Sequence, residues 1–138
     1  MTIKSAIPYL ILYGRAVQAI EFYKTVLGAD VASSQRFGDV QQSCPEAQRA
    51  LIMHAELRVG EAVLMLSDGP GEAPVPGPGG VQVALALDDA AQLRRVFEGL
   101  SAGGAVTQAP LDAPWGDVFC AFADRFGVRW MLTAPQGV

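Results

Sequence analysis

The sequence predicts an α+β fold built from two βαβββ modules. A Gly turn joins two runs of large apolar and β-branched residues at 58–67 and again at 124–133, a pattern typical of tight hairpins. An amphipathic helix pattern precedes each hairpin, at 16–27 and at 90–100, and a Pro/Gly-rich stretch, 69–80, separates the copies. Each module is too small to bury its own apolar face, so we expect the two to pack as a pair.

Length and charge bound the class of protein. At 138 residues and 51% hydrophobic the chain suits one globular domain, which would bury about two thirds of its unfolded surface. We expect module one at 1–68, the linker at 69–80 and module two at 81–138. The net charge of −4, with ten Lys and Arg residues, argues against a nucleic-acid or anionic-membrane partner, because both need clustered positive charge.

The cysteines and the N-terminus bear on the compartment. Cys44 and Cys120 form neither a CxxC motif nor a disulfide framework, which fits a reducing compartment. The N-terminal residues lack the apolar region of a signal peptide, and no apolar run reaches the ~18 residues of a membrane span. We therefore expect a cytoplasmic, soluble protein.

The first module follows from hydrophobic period and turn residues. Apolar residues recur at helical spacing until Gly28, which ends the helix. Alternation of apolar and polar residues marks strands on both sides of the Gly60 turn, and Pro45 favours a loop. The predicted segments are strand 7–13, helix 16–27, strand 30–37, loop 38–48, strand 51–59 and strand 61–67.

The second module repeats this order after the linker. Asp89, with Gln92 three residues later, forms a capping-box pattern at the start of its helix. Gly103 and Gly104 follow the helix as Gly28 follows the first one. The predicted segments are strand 81–87, helix 90–100, strand 105–111 and a hairpin of 117–123 with 128–133.

Six segments carry a resemblance to a known family: residues 9–14, 19–29, 53–57, 64–68, 115–116 and 124–130. Together they resemble the vicinal oxygen chelate superfamily, which contains glyoxalase I, bleomycin-resistance proteins and extradiol dioxygenases, and within it the PhnB-like branch. The resemblance covers nearly the whole chain. It implies two paired βαβββ modules that form a curved, cup-shaped mixed sheet with helices on the outside, and usually a homodimer.

The metal-dependent members of the superfamily hold a divalent ion in the cup with His, Glu or Gln. The matching positions here are Ile7, Gln82, Met131 and a hairpin position near Leu64. A thioether is a poor ligand for hard, oxygen-preferring ions, and the single amide of Gln82 cannot replace a set of three or four protein ligands. This departure from the family's pattern disfavours a divalent metal, and we expect no cofactor.

Strand alternation predicts which side chains face into the cup. With Met131 facing inward, Trp130 is expected in the core on the helix side. The expected inward sets are Ile7, Tyr9, Ile11 and Tyr13; His54, Glu56 and Arg58; Gln82, Ala84 and Ala86; and Arg129, Met131 and Thr133. Such a mixture of aromatic and polar groups is typical of ligand pockets. We assign no catalytic residue; the candidate ligand-binding residues are Tyr9, Tyr13, His54, Glu56, Gln82, Trp115, Arg129 and Met131.

Several candidates have a structural alternative. His54 is the only histidine and is either a proton shuttle or, as we favour, a hydrogen-bonded strand residue. Glu56 and Arg58 are near enough to pair, and belong either to a pocket or to a solvated strand face. Trp115, beside Gly116, is either an aromatic rim over the cup or a turn residue packed on the core.

These patterns leave three functional hypotheses. The first is a metal-independent binder that holds an amphipathic small molecule against Tyr9, Tyr13, Glu56, Trp115 and Met131. The second is a metal-dependent lyase, isomerase or dioxygenase-like enzyme with His54, Glu56 and Gln82 as ligands, because a one-residue slip in register would change every inward position. The third is a vestigial fold with an interaction role.

Overall fold

The computed structural model describes residues 3–41, 43–69 and 80–136. The chain divides into two compact units, a first unit of residues 1–76 and a second unit of residues 77–138. The change of unit falls within the predicted linker, most of which, residues 70–79, lies outside the described residues.

The first unit is a four-stranded mixed sheet with one long helix. Its sheet order is β1-β4-β3-β2, in which β1 runs parallel to β4 and the other pairs are antiparallel. This is the predicted βαβββ arrangement. The elements are β1 (Tyr9–Ile11), α1 (Ala16–Leu27), β2 (Asp30–Arg36), α2 (Phe37–Val40), a 3-10 turn (Glu46–Gln48), β3 (Ile52–Val59) and β4 (Ala62–Ser67).

One face of this sheet is buried against α1. The helix contributes Ala19 and Tyr23, both fully buried, and the strands contribute apolar residues that alternate with half-buried or exposed ones. Gly28 ends α1 in the left-handed conformation with φ of 66°, as predicted. The buried apolar strand residues that share this face are Leu10, Ala55, Leu57, Leu64 and Leu66.

Two segments of the first unit differ from the prediction. The first strand is only Tyr9–Ile11, because it pairs with β4 over three residues alone. The predicted loop 38–48 contains a helical turn, α2, and a 3-10 turn. Backbone hydrogen bonds between its two ends, from Phe37 N to Leu51 O and from Gly38 N to Arg49 O, both 3.0 Å, close this segment on itself.

Asp68, directly after β4, is the main polar group of the first core, being 1% exposed. Its Oδ1 accepts a hydrogen bond from Ala16 N and its Oδ2 accepts one from Ile52 N, both at 2.8 Å. The carboxylate thus caps α1, where an anion is also favoured by the helix dipole, and fixes the start of β3. Nothing in the local sequence pattern assigned Asp68 this role.

We predict that Asp68→Ala lowers the free energy of unfolding by about 2–5 kcal/mol, because two buried N–H groups lose their acceptor. Urea denaturation followed by circular dichroism measures this change. The matched control is Asp112→Ala at the exposed end of β6 (Ala105–Asp112), for which we expect a change within about 0.5 kcal/mol. Equal effects of the two substitutions would contradict the capping role.

The second unit repeats the topology of the first. Its sheet order is β5-β8-β7-β6, with β5 parallel to β8 and the other pairs antiparallel. The second βαβββ module is thereby confirmed. The elements are β5 (Val83–Ala86), α3 (Ala90–Leu100), β6, β7 (Asp117–Ala123) and β8 (Arg129–Pro135).

The start of α3 confirms half of the predicted capping box. Asp89 Oδ1 accepts a hydrogen bond from Gln92 N at 2.7 Å. The Gln92 side chain accepts its hydrogen bond from Asp88 N at 3.2 Å, one residue before the N-cap. Both bonds satisfy or order the backbone at the helix start, where amide groups have no partner within the helix.

Trp130 is fully buried, as predicted, and a buried carboxylate holds its indole. Asp124, 3% exposed, accepts a hydrogen bond from Trp130 Nε1 at 2.9 Å through Oδ2. Its Oδ1 accepts from Phe126 N and Val128 N at 2.9 and 3.0 Å. One carboxylate therefore orders the β7–β8 turn and anchors the largest side chain of this core; Phe97 and Phe122 pack edge to face beside it at 5.7 Å.

Cys120, on β7, is fully buried, whereas Cys44 is half-buried, and both are free thiols. Burial raises the pKa of the Cys120 thiol to about 11, while a hydrogen bond with the backbone of Leu132 acts in the opposite direction. The reactive thiolate is therefore scarce at ordinary pH.

No helix in the described part of the chain is long and apolar enough to cross a membrane.

We predict that iodoacetamide modifies Cys44 but not Cys120 in the folded protein at pH 8, because only about one Cys120 thiol in a thousand is ionised there. Mass spectrometry of the intact protein counts the modified thiols. Cys44→Ser should abolish the reaction in buffer and leave one modification in guanidinium chloride. Rapid modification of folded Cys44→Ser protein would contradict the burial of Cys120.

Candidate functional site

The candidate site lies on the face of the first sheet opposite α1. Strand pairing aligns Tyr9 with Met65, Met65 with Glu56, and Glu56 with Ser33, so these four side chains form a row across the sheet. His54 lies two residues before Glu56 and therefore on the same face. We call Tyr9, His54, Glu56 and Met65 the open face.

A hydrogen bond joins the two aromatic members of the open face. The Tyr9 Oη and His54 Nδ1 atoms are 3.0 Å apart, and the ring centroids are 5.6 Å apart at an interplanar angle of 36°. Since β4 lies between β1 and β3, the phenol reaches across one strand to the imidazole. Tyr9 remains 48% exposed and His54 is half-buried, so the pair is open to a ligand.

Glu56 is half-buried and does not pair with Arg58. Ion pairs within the described residues include Lys24 with Glu21 and Arg49 with Glu46, and neither Glu56 nor Arg58 belongs to these pairs. Of the two alternatives, a solvated strand face fits Arg58, which is exposed, whereas Glu56 is partly shielded from water. A partly desolvated carboxylate gains from a hydrogen-bond donor or a cation, and a ligand can supply either.

The register corrects one predicted position on the hairpin. The position that matches a metal ligand was expected near Leu64, but Leu64 itself is 2% exposed and pairs with buried Leu57 on the α1 side. Its neighbour Met65 occupies the open face instead. Leu64 and Met65 are both apolar, so composition alone did not decide which of them faces the helix.

Tyr13 lies outside the strand in which alternation placed it. Its φ is 48°, the one positive φ of a non-glycine residue in the described part of the chain, and Gly14 follows with φ of 91°. The chain therefore turns at Tyr13 to enter α1, and the period-2 argument does not apply to it. Ile7 likewise precedes β1 and is 36% exposed.

The equivalent face of the second sheet has a different chemistry. Ala84 pairs with Met131, and Met131 with Ala121, so small and apolar residues occupy the row that corresponds to Tyr9, Met65 and Glu56. Ala84 and Ala86 share the face of Met131 and Thr133, as predicted, and Arg129 is half-buried on it. Gln82 is exposed and precedes β5, which begins at Val83.

Trp115 lies on the turn between β6 and β7 and is 66% exposed. It is thus a surface residue and not part of the core. Its ring contacts Phe119 edge to face, with centroids 6.1 Å apart at 64°. Phe119 pairs with Thr133 on the face of Met131, so Trp115 extends this apolar face with an aromatic pair.

The donor atoms on the open face do not fit a divalent metal ion. His54 and Glu56 are the nitrogen and oxygen donors there, His54 Nδ1 is engaged with Tyr9, and the neighbouring Met65 offers a thioether. In residues 3–41, 43–69 and 80–136, no three His, Cys, Asp or Glu side chains lie together in a way that could hold a metal. We derive no metal-dependent step.

The presence of two βαβββ units in one chain agrees with comparison to known proteins. A family model of the glyoxalase/bleomycin resistance protein/dioxygenase superfamily matches residues 7–132. The chain belongs to this superfamily. Membership establishes the fold, whereas the chemistry depends on the residues of the site.

Individual relatives match this chain over nearly its whole length. Protein YjdN of Escherichia coli is 29% identical, with 94% of each chain covered. The crystal structure of protein PA1353 from Pseudomonas aeruginosa is 35% identical, with a TM-score of 0.85 over 98% of this chain and 100% of that one. A PhnB protein from Bacillus cereus shares the fold at 19% identity, with a TM-score of 0.77 over 95% and 99% of the two chains.

Proposed function

We propose that this protein binds an amphipathic small molecule on the open face of the first unit without a metal ion. The observation that carries this proposal is the half-buried Glu56 carboxylate, without a described protein partner, beside the Tyr9–His54 hydrogen bond. The superfamily takes part of its name from bleomycin resistance proteins, which supports a binding role for this protein.

The chemistry of the open face suggests the ligand. The ring of Tyr9 and the thioether of Met65 offer apolar contact, and Tyr9 can also attract a cation by its ring face. Glu56 adds negative charge in the same row. These groups together suit an aromatic compound that carries a cationic or hydrogen-bond-donating group.

The second unit has an exposed apolar surface of its own, formed by the aromatic pair of Trp115 and Phe119. Arg129 and Met131 lie on the same face of the second unit as Phe119. Gln82 and Tyr13 remain predicted ligand-binding residues, although neither belongs to the open face.

The alternative is a metal-dependent lyase, isomerase or dioxygenase-like enzyme. It is supported by the position of His54 and Glu56 on one face, and it requires further ligands. Elemental analysis of untagged protein purified without chelator decides between the two: near-stoichiometric zinc, nickel, manganese or iron that His54→Ala removes would favour the enzyme.

We further propose that the protein is a homodimer and that it is located in the cytoplasm. The free thiols of Cys44 and Cys120 are consistent with a reducing compartment. Sedimentation equilibrium of the untagged protein measures the oligomeric mass, and a monomer at micromolar concentration would contradict the first expectation.

We predict that a screen of cationic aromatic compounds will contain ligands that raise the melting temperature by about 5 °C at ten times their Kd, because such binding stabilises the folded state by about 1.4 kcal/mol. Glu56→Gln should abolish the shift by removing the charge. Differential scanning fluorimetry measures both.

The control is Glu61→Gln, which removes an equal charge from the exposed β3–β4 turn and should preserve the shift. A screen without any ligand whose shift depends on Glu56 or Tyr9 would contradict binding on the open face. Equal losses in Glu56→Gln and Glu61→Gln would indicate a general charge effect instead of a site.

A further inference from the structure

The hydrogen bond between Tyr9 and His54 has a direction that follows from general chemistry. A neutral imidazole has one N–H and one unprotonated nitrogen, and the hydrogen bond at one nitrogen determines which of the two carries the proton. A phenol is a better donor than acceptor, because its oxygen lone pair is delocalised into the ring. This difference favours donation from Tyr9 Oη to His54 Nδ1, the two atoms being 3.0 Å apart.

We propose that Tyr9 is a positioning residue that holds neutral His54 in the Nε2–H tautomer, so that the open face offers a ligand one donor, His54 Nε2–H, and one acceptor, the Glu56 carboxylate. This inference rests on the proposed binding function and names the ligand group. Nδ1 is the ring nitrogen with a partner in the described part of the chain, which leaves Nε2 for the ligand.

The donor and the acceptor project from alternate residues of one strand, β3, whose Cα atoms are about 6.7 Å apart at the usual rise. A ligand group complementary to them carries an acceptor and a donor side by side. A primary amide or a lactam has this arrangement, because its carbonyl oxygen accepts and its N–H donates. The open face thus selects aromatic amides.

Tyr9 and Glu56 contribute differently to this recognition. Met65 separates them within the row, so Tyr9 acts on the ligand carbonyl through His54, and Glu56 binds the N–H directly. Loss of Tyr9 Oη should weaken every ligand that has the carbonyl. Loss of the Glu56 carboxylate should weaken only those that also have the N–H.

The single histidine makes the tautomer directly measurable. In untagged protein labelled with ¹⁵N at histidine, long-range ¹H–¹⁵N correlation spectra at pH 9, where imidazole is neutral, show which ring nitrogen carries the proton. We expect Nε2–H alone. Tyr9→Phe should raise the fraction of Nδ1–H to that of a histidine in an unstructured peptide, whereas Ser34→Ala, which removes one hydroxyl from exposed β2 of the same sheet, should not.

A predominant Nδ1–H tautomer, or an unchanged spectrum in Tyr9→Phe, would overturn the positioning role. Backbone ¹H–¹⁵N spectra of both variants show whether the protein is folded. If Tyr9→Phe keeps its fold while the tautomer of His54 changes, Tyr9 acts on the tautomer. A merely structural role of Tyr9 would not produce this result.

The ligand class is tested with benzamide, N,N-dimethylbenzamide and acetophenone, titrated into the labelled protein while the His54 resonances are followed. Benzamide should bind at least about tenfold more tightly than the other two, because only it donates to a charged acceptor. Glu56→Ala should remove this preference. Tyr9→Phe should weaken benzamide and N,N-dimethylbenzamide by similar factors.

The two proposals fail separately. If cationic aromatic compounds stabilise the protein through Glu56 but benzamide has no advantage over N,N-dimethylbenzamide, the amide inference is overturned and the binding function stands. If neither these probes nor the screened compounds bind the open face, the binding function and amide recognition both fall.

Discussion

The first unit depends on one buried carboxylate. Asp68 accepts hydrogen bonds from Ala16 at the start of α1 and from Ile52 at the start of β3, so it joins the helix to the sheet at a single point. The adjacent hydrogen bond from Leu12 N to Ser67 O, 2.8 Å long, continues the β1–β4 pairing to the same place. A buried charge is tolerated only when it is satisfied in this way, and the arrangement therefore fixes how β1, β3 and β4 align.

That alignment decides the chemistry of the open face. Successive residues of a strand face opposite sides of the sheet. A shift of one residue in β4 would put Leu64 in the place of Met65, and the same shift in β1 and β3 would turn Tyr9 and Glu56 toward α1. With the observed register, the phenol of Tyr9 reaches His54 and the carboxylate of Glu56 is held next to Met65. The site is thus a consequence of strand pairing.

The two units share a topology and differ in the groups they present. Met65 and Met131 occupy equivalent positions, each paired with the parallel first strand of its unit. Around Met65 stand Tyr9 and Glu56, whereas Ala84 and Ala121 flank Met131. Membership of the glyoxalase/bleomycin resistance protein/dioxygenase superfamily accounts for the repeated fold. The two halves thus keep one topology while their chemistry differs, since one fold supports many chemistries.

Local patterns in the sequence determined the helix bounds, the hairpins, the Asp89 cap and the burial of Trp130, because periodicity and capping act over a few residues. They also placed His54 and Glu56 on one face of β3. The tertiary structure alone decided that Asp68 caps a helix 52 residues earlier, that Tyr9 bonds a histidine 45 residues later, and that Met65, half-buried, lies on the open face in place of Leu64. Each of these depends on the pairing of strands distant in the chain, which no local period encodes.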